Sequence, residues 1–419
     1  MTSRRSLKIE QKKQLLSPKS QNSSTELHNS GNNLHKIHEG CLFKSLDDDS
    51  EQHDADLYFK DNDPFLLYNV DNWQFKDLLS NGKHLKGGFS GDYVFAVTLS
   101  ASGKQFLFPN NKFNYDLDKP MILKIFINSK ESNIAKEIRT TCALSFTALK
   151  YFPKIYKFGS VAAKRFKSLF ADDDDIIDSD MKSIKFMLIE YFENSKSLCE
   201  IPPNLFTDKD KLHIVVEVLD ALMLAQKYIG RRFAFIDMHL GNILVQCKIN
   251  RKINRVKKIG NIRLIDFGTT NFYGPSEFEK GVPFSSTVIS RAKSIRTKIG
   301  KKIYNYDLPE HFTTHMVYGC VNKSFGNNNE NLDKEIIFNI YHLWGFKYYK
   351  NSNELPAVIE DFFHWAILFQ YYALHAKTSF FGTFCEKINL FVAAYANRYK
   401  QIIPLQGLYD YIQFILTEK

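Results

Sequence analysis

The chain has no Cys-x-x-Cys pair: its six cysteines, Cys41, Cys142, Cys199, Cys247, Cys320 and Cys385, are scattered along its length. That spacing argues against both a metal knuckle and a disulfide framework, so free thiols in a reducing compartment are expected. Glycine and proline are scarce, 20 and 12 residues against 36 phenylalanines and 21 tyrosines. The balance argues for a packed globular body rather than a low-complexity chain. No apolar run reaches bilayer length. The most apolar stretch, Phe362 to Ala376, is interrupted by His364 and Gln370, and a membrane span is not expected. The polar start Met-Thr-Ser-Arg-Arg carries no secretory signal, and no internal repeat is visible. These absences lead to the expectation of a soluble intracellular protein, in cytoplasm or nucleus.

What is present begins with charge. A net charge of +10 points to an acidic partner, nucleic acid or an anionic surface. Three clusters hold much of it, Arg4 to Lys19, Lys248 to Lys258 and Arg291 to Lys302. Each is expected on a tail or loop, either simply solvated or offered to an acidic docking partner; no aromatic interleaving suggests base stacking.

Residues 1–55 are rich in Ser, Asn, Gln, Lys and His and are expected to be a disordered tail. From there to about residue 200 the pattern is strand-rich, with strands at Tyr93 to Thr98, Met121 to Phe126, Lys154 to Phe158 and Lys185 to Tyr191. One helix interrupts them, Glu131 to Lys150. Asp172 to Asp178 reads as an acidic surface loop that lacks the turn glycine and terminal glutamate of a calcium site. Beyond Pro202-Pro203 the chain turns helical, with amphipathic stretches over Leu212 to Tyr228, Ile359 to His375 and Glu386 to Tyr399.

The chemistry concentrates in two short runs, Asp237-Met-His-Leu-Gly-Asn242 and Leu264-Ile-Asp266-Phe-Gly268, flanked by apolar strand-like stretches. One amide and one carboxylate, completed by phosphate oxygens and water, suit Mg²⁺ at a nucleotide. Gly87, Gly88 and Gly91 precede a strand, where backbone amides can approach phosphate. Lys124 sits inside an apolar strand and needs an acidic partner. Glu137 shares the inward helix face with Ile134 and Ile138 and is the preferred partner; Glu131, at the helix entrance, is the competitor.

In this order, glycine loop, strand lysine, helix glutamate, Asp-x-x-x-x-Asn and Asp-Phe-Gly, the chain resembles the protein-kinase superfamily over roughly residues 80 to 380. The resemblance implies an α+β, bilobal protein-kinase-like fold, with a small β-rich N-lobe over 56–192 and a larger helical C-lobe over 193–419. It implies ATP and Mg²⁺ as cofactors and a protein substrate, with serine or threonine as acceptor. By the resemblance, Asp237 is the catalytic base, Asn242 and Asp266 are the metal ligands, and Lys124, held by Glu137, anchors phosphate. Met187-Leu-Ile-Glu190-Tyr-Phe192 resembles the hinge strand, putting Ile189, Glu190 and Phe192 at the adenine pocket. Ser197-Leu198, Ala221-Leu222 and Asp361 also fall where kinases have such residues.

The departures carry information too. Phe235-Ile236 replaces His-Arg before the base, so activity independent of activation-loop phosphorylation is expected. His239 stands where the catalytic-loop lysine is usual, as in haspin-like kinases and small-molecule kinases of the aminoglycoside and choline type. Lys86 replaces the first loop glycine, Leu308-Pro-Glu310 is a faint counterpart of Ala-Pro-Glu, and Gln246 to Gly260 makes the hairpin between the two metal-ligand motifs unusually long, as in haspin-like kinases. Two rival readings use the same residues: a small-molecule kinase, and a pseudokinase scaffold that binds nucleotide without transfer. Compactness and the Lys, Asn and Ile bias resemble kinases of large DNA viruses, which would place the protein in an infected host cell or a virion.

Overall fold

The computed structural model describes residues 75–85, 93–108, 115–127, 151–165, 183–229, 233–235, 238–250, 255–268, 270–272, 292–299, 302–309, 339–351, 356–376 and 380–417, with single positions of the helical segment 134–145, Lys150 and Ile336. The expected tail, the basic run Arg4 to Lys19 and the acidic loop lie outside these.

The fold is mixed α+β. Strand β1 (Leu79–Leu85) pairs with β2 (Tyr93–Leu99), and helix α1 (Ala101–Leu107) follows. Next come β3 (Met121–Phe126), the helical segment 134–145, β4 (Ile155–Ala162) and β5 (Ser183–Glu190). The five strands form one antiparallel sheet in the order β1-β2-β3-β5-β4. Alternation drives its packing: Phe95, Val97 and Leu99 of β2 and Leu123 and Ile125 of β3 all enter one apolar cluster with Val161, Phe186 and Leu188. β1 and α1 were not legible. β1 reads Leu-Ser-Asn-Gly-Lys-His-Leu and is exposed along its middle. α1 exists because Ser100 Oγ caps it at 3.0 Å from the Gly103 N–H, and because Gly103 lacks the Cβ that would sit 2.0 Å from the Leu78 carbonyl oxygen.

Short strand β6 (Ser195–Ser197) leads to helix α2 (Asp208–Ile229), then β7 (Phe233–Ala234), β8 (Ile243–Asn250), β9 (Arg255–Leu264) and β10 (Asn271–Phe272). β6, β8 and β9 form a three-stranded antiparallel sheet, and β7 pairs with β10. β11 (Ala292–Ile299) and β12 (Lys302–Pro309) make a separate hairpin. Helices α3 (Pro356–Leu374), α4 (Phe380–Tyr399) and α5 (Leu405–Thr417) complete the chain. Their aromatic residues build a second, larger cluster with α2, in which the buried Trp365 donates its Nε1–H to the Val215 carbonyl at 2.9 Å.

Two basic clusters expected on loops are in strands. Lys248 to Asn250 and Arg255 to Lys258 lie on β8 and β9, and most of Arg291 to Lys302 lies on β11 and β12. For β8 and β9 the physical reason is in the intervening residues: Ile249, Val256 and Ile259 pack on the larger apolar cluster and hold the ladder in place between the lysines. No helix among the described residues is long and apolar enough to cross a membrane.

Candidate functional site

Lys124 lies in the middle of β3, opposite Val94 on β2 and Met187 on β5. Its neighbours Leu123 and Ile125 enter the sheet's apolar cluster, so alternation turns Lys124 to the opposite face. There Nζ lies 2.7 Å from Glu137 Oε1 and 3.3 Å from Asp266 Oδ1. Lys124 is 7% exposed and Glu137 4%. An ammonium withdrawn from water this far is tolerated only with a partner at contact distance. The geometry selects Glu137, as its place on the inward helix face implied; Glu131 lies outside the described residues.

Asp266 has a backbone φ of +66°, in the left-handed region. Aspartate accepts that conformation at a modest cost, and the surroundings must enforce it. They do so on both sides: the Ile265 N–H donates to the Asn242 carbonyl at 3.0 Å, and Thr270 Oγ1 donates to the Phe267 carbonyl at 2.8 Å. Gly268 follows with a close approach. A Cβ there would lie 3.2 Å from Glu137 Oε2 and 3.7 Å from Asp266 Oδ1. Glycine thus leaves room beside both carboxylates.

Asn242 ends a single 3₁₀ turn, Leu240–Asn242, and is buried. Its N–H donates to the His239 carbonyl at 2.9 Å, and Ser197 Oγ donates to the Leu240 carbonyl at 2.9 Å. The His239 ring caps the turn, its Nδ1 accepting the Gly241 N–H at 2.9 Å, so in the neutral ring the proton sits on Nε2. Ile236 and Asp237 lie outside the described residues, as do Gly87, Gly88 and Gly91. The backbone at Phe235 is held from below: its N–H donates to both oxygens of the fully buried Asp361, at 3.0 and 3.1 Å. The Phe235 ring packs edge-on to Phe267 at 5.2 Å, and Phe267 meets Phe152 at 5.9 Å. This aromatic file ties the two motifs together, and sequence reasoning did not find it. Its signal was an aromatic residue beside each motif.

At the end of β5, Ile189 and Phe192 are half-buried. The Glu190 carboxylate is engaged by the protein itself: Oε2 accepts the Lys154 N–H at 3.2 Å and faces Arg263 Nε at 3.7 Å. The Arg263 guanidinium stacks 4.8 Å over the Phe192 ring and donates to the Lys150 carbonyl. Burial lowers its pKa and the Glu190 charge opposes that shift. Arg263 also escaped the sequence reading, although an arginine in an apolar strand three residues before Asp266 is itself a signal.

Comparison with known proteins gave nothing to set beside this geometry: no family model and no curated protein matches the chain.

Among the described residues no group of three or more His, Cys, Asp or Glu gathers at one point, as an all-protein metal cage would require. Asn242 carries an amide and Asp266 a carboxylate, residue types that could serve a hard cation whose other ligands are substrate oxygens and water. The Asp266 side chain is 38% exposed, and the missing Cβ of Gly268 keeps the space beside it open. The Lys124 ammonium beside it is a point charge of the kind that can bind phosphate.

Proposed function

We propose that the chain is an ATP- and Mg²⁺-dependent phosphotransferase of bilobal, protein-kinase-like fold, acting on serine or threonine hydroxyls of a protein substrate. The observation that carries the reading is the Lys124 ammonium held between Glu137 and Asp266. Three residues from separate parts of the sequence, each singled out for phosphate or metal chemistry, meet at one point. A structural ion pair would need only one carboxylate.

In this reading Asn242 and Asp266 hold the metal, and the backbone at Gly87, Gly88 and Gly91 and the hinge residues Ile189 to Phe192 hold the nucleotide. Bound Mg²⁺-ATP supplies the transferable phosphoryl group and neutralises charge on its oxygens. Lys124 orients phosphate, and Glu137 keeps the ammonium from collapsing fully onto Asp266. Asp237 accepts the proton of the acceptor hydroxyl on its carboxylate. The aromatic file and Asp361 keep the loop before Asp237 from shifting, which matters because positioning supplies most of the acceleration in such chemistry.

The test is thermal denaturation of the full chain with and without Mg²⁺-ATP, followed by transfer of labelled phosphate to mixed proteins and to small hydroxylated acceptors. A nucleotide at a hundred times its Kd adds about 2.7 kcal/mol of stability. That shift is expected in the native chain and in Asp237→Asn, and is lost in Asp266→Ala; transfer to protein is lost in both. Transfer only to small acceptors would replace the substrate class, binding without transfer would make the chain a pseudokinase, and no binding at all would remove the reading.

A further inference from the structure

The hairpin of β8 and β9 begins at Asn242 and returns to Asp266, so its base is the candidate site. From Ile243 to Asn250 it extends roughly 23 Å at the usual rise per residue. One face of its distal half is apolar and anchored: Val256 is buried, and Cys247, Ile249 and Ile259 pack on the larger apolar cluster. The other face is cationic. Lys248, Arg255, Lys257 and Lys258 are all exposed. Lys248 stands directly across the ladder from Lys258, and Arg255 across from Asn250.

Like charges directly opposite on a sheet destabilise it. An ordinary solvated surface relieves that by interspersing carboxylates, yet none of the four cations has an ion pair among the described residues. The charges are therefore held on a packed scaffold with no carboxylate paired to them among the described residues. We infer that this face of the β8–β9 hairpin is a docking surface for an acidic, extended segment of a partner protein. The strip is one hairpin wide and suits a single extended anionic strand. Single-stranded nucleic acid fits it less well, since the hairpin has no aromatic residue on which bases would stack.

The inference rests on the proposed phosphotransferase only for what docking achieves there. An acidic stretch bound on the hairpin would hold a substrate with its acceptor about five to seven extended residues away, at the base of the same ladder. Binding itself is independent of that chemistry.

The experiment measures fluorescence anisotropy of a labelled eight-residue polyglutamate peptide with the full chain, alongside an eight-residue polylysine peptide and a single-stranded DNA oligonucleotide. Three double variants are compared: Lys248→Glu with Lys258→Glu, Lys248→Gln with Lys258→Gln, and a control of equal charge change, Lys387→Glu with Arg398→Glu, both exposed on α4. Polyglutamate is expected to bind more tightly than the other two probes and to weaken as salt rises. The hairpin glutamate variant is expected to lose at least tenfold in affinity, the glutamine variant to lose less while melting no lower than the native chain, and the control to stay within twofold. Equal loss in hairpin and control variants, absence of polyglutamate binding, or tighter DNA binding through Lys248 and Lys258 would each overturn the docking surface. Nucleotide binding measured on the same samples separates the two readings. Its retention beside absent peptide binding rejects docking alone, and its absence in the native chain rejects the phosphotransferase alone.

Discussion

Lys124 shows how one residue links folding to chemistry. A lysine in a strand whose neighbours are all apolar has to find charge, and it finds two carboxylates, at 2.7 and 3.3 Å. Removing the ammonium leaves Glu137 buried beside Asp266 with nothing between them. Lys124→Met is therefore expected to cost about 3–5 kcal/mol of stability by urea denaturation, because an uncompensated buried charge is among the most destabilising single changes. Adding Glu137→Gln to that variant should recover much of the loss without restoring phosphotransfer. If Lys124→Met melts like the native chain, the pair is not buried as described. Lys124 and its need for an acid were legible because an apolar strand names the problem. The choice of Glu137 followed from helix periodicity. The approach of Asp266 was not readable from spacing, since 142 residues separate it from Lys124.

Elements transmit that precision to the loops. Helix α2 starts with a reciprocal cap: the Thr207 N–H and Oγ1 donate to Asp210 Oδ2 at 2.9 and 2.6 Å, and the Asp210 N–H donates to Thr207 Oγ1 at 3.1 Å. Thr207→Ala should cost about 1 kcal/mol by chemical denaturation and leave nucleotide binding intact. Helix α3 has a different task, since its Asp361 holds the backbone before Asp237 from 126 residues away. Asp361→Ala strands a buried N–H and is expected to cost about 1–3 kcal/mol, with a fall in turnover that exceeds the fall in nucleotide affinity. Asp361→Asn keeps one acceptor oxygen and should lose less in both measurements. Equal effects of the two substitutions would mean that the carboxylate does not position the loop. The main strands and helices were readable from their periods. β1 and α1 were not, because polar exposure in one and a Ser-Gly start in the other hide elements that only the neighbouring backbone stabilises.

Across the whole molecule, two apolar clusters carry the stability, one in the five-stranded sheet and one among the helices. The helical one sets an alkaline limit. Burial first, and the Asp208 carboxylate second, push the Cys385 thiol from its ordinary 9.0 up to about 12. In the unfolded chain that thiol ionises near its ordinary value, so its contribution is complete below pH 9 and is lost as the pH climbs toward 12. Between pH 8 and pH 10 the native chain should lose about 1.4 kcal/mol more than a Cys385→Ala variant does, as followed by urea titration at each pH. An identical pH slope in the two proteins would place the thiol in contact with water.

The sequence by itself determined the elements with strong period, the absence of long membrane-crossing apolar runs, and the residue types fit for phosphate and magnesium, because these depend on neighbours a few positions apart. Tertiary structure alone decided which of those residues meet. It brought Asp266 to Lys124, set Asp361 beneath the backbone at Phe235, and stacked Phe152, Phe267 and Phe235 into one file. Each of these depends on the closing of long chain segments around buried surface, and no local pattern encodes the distance at which two distant side chains come to rest.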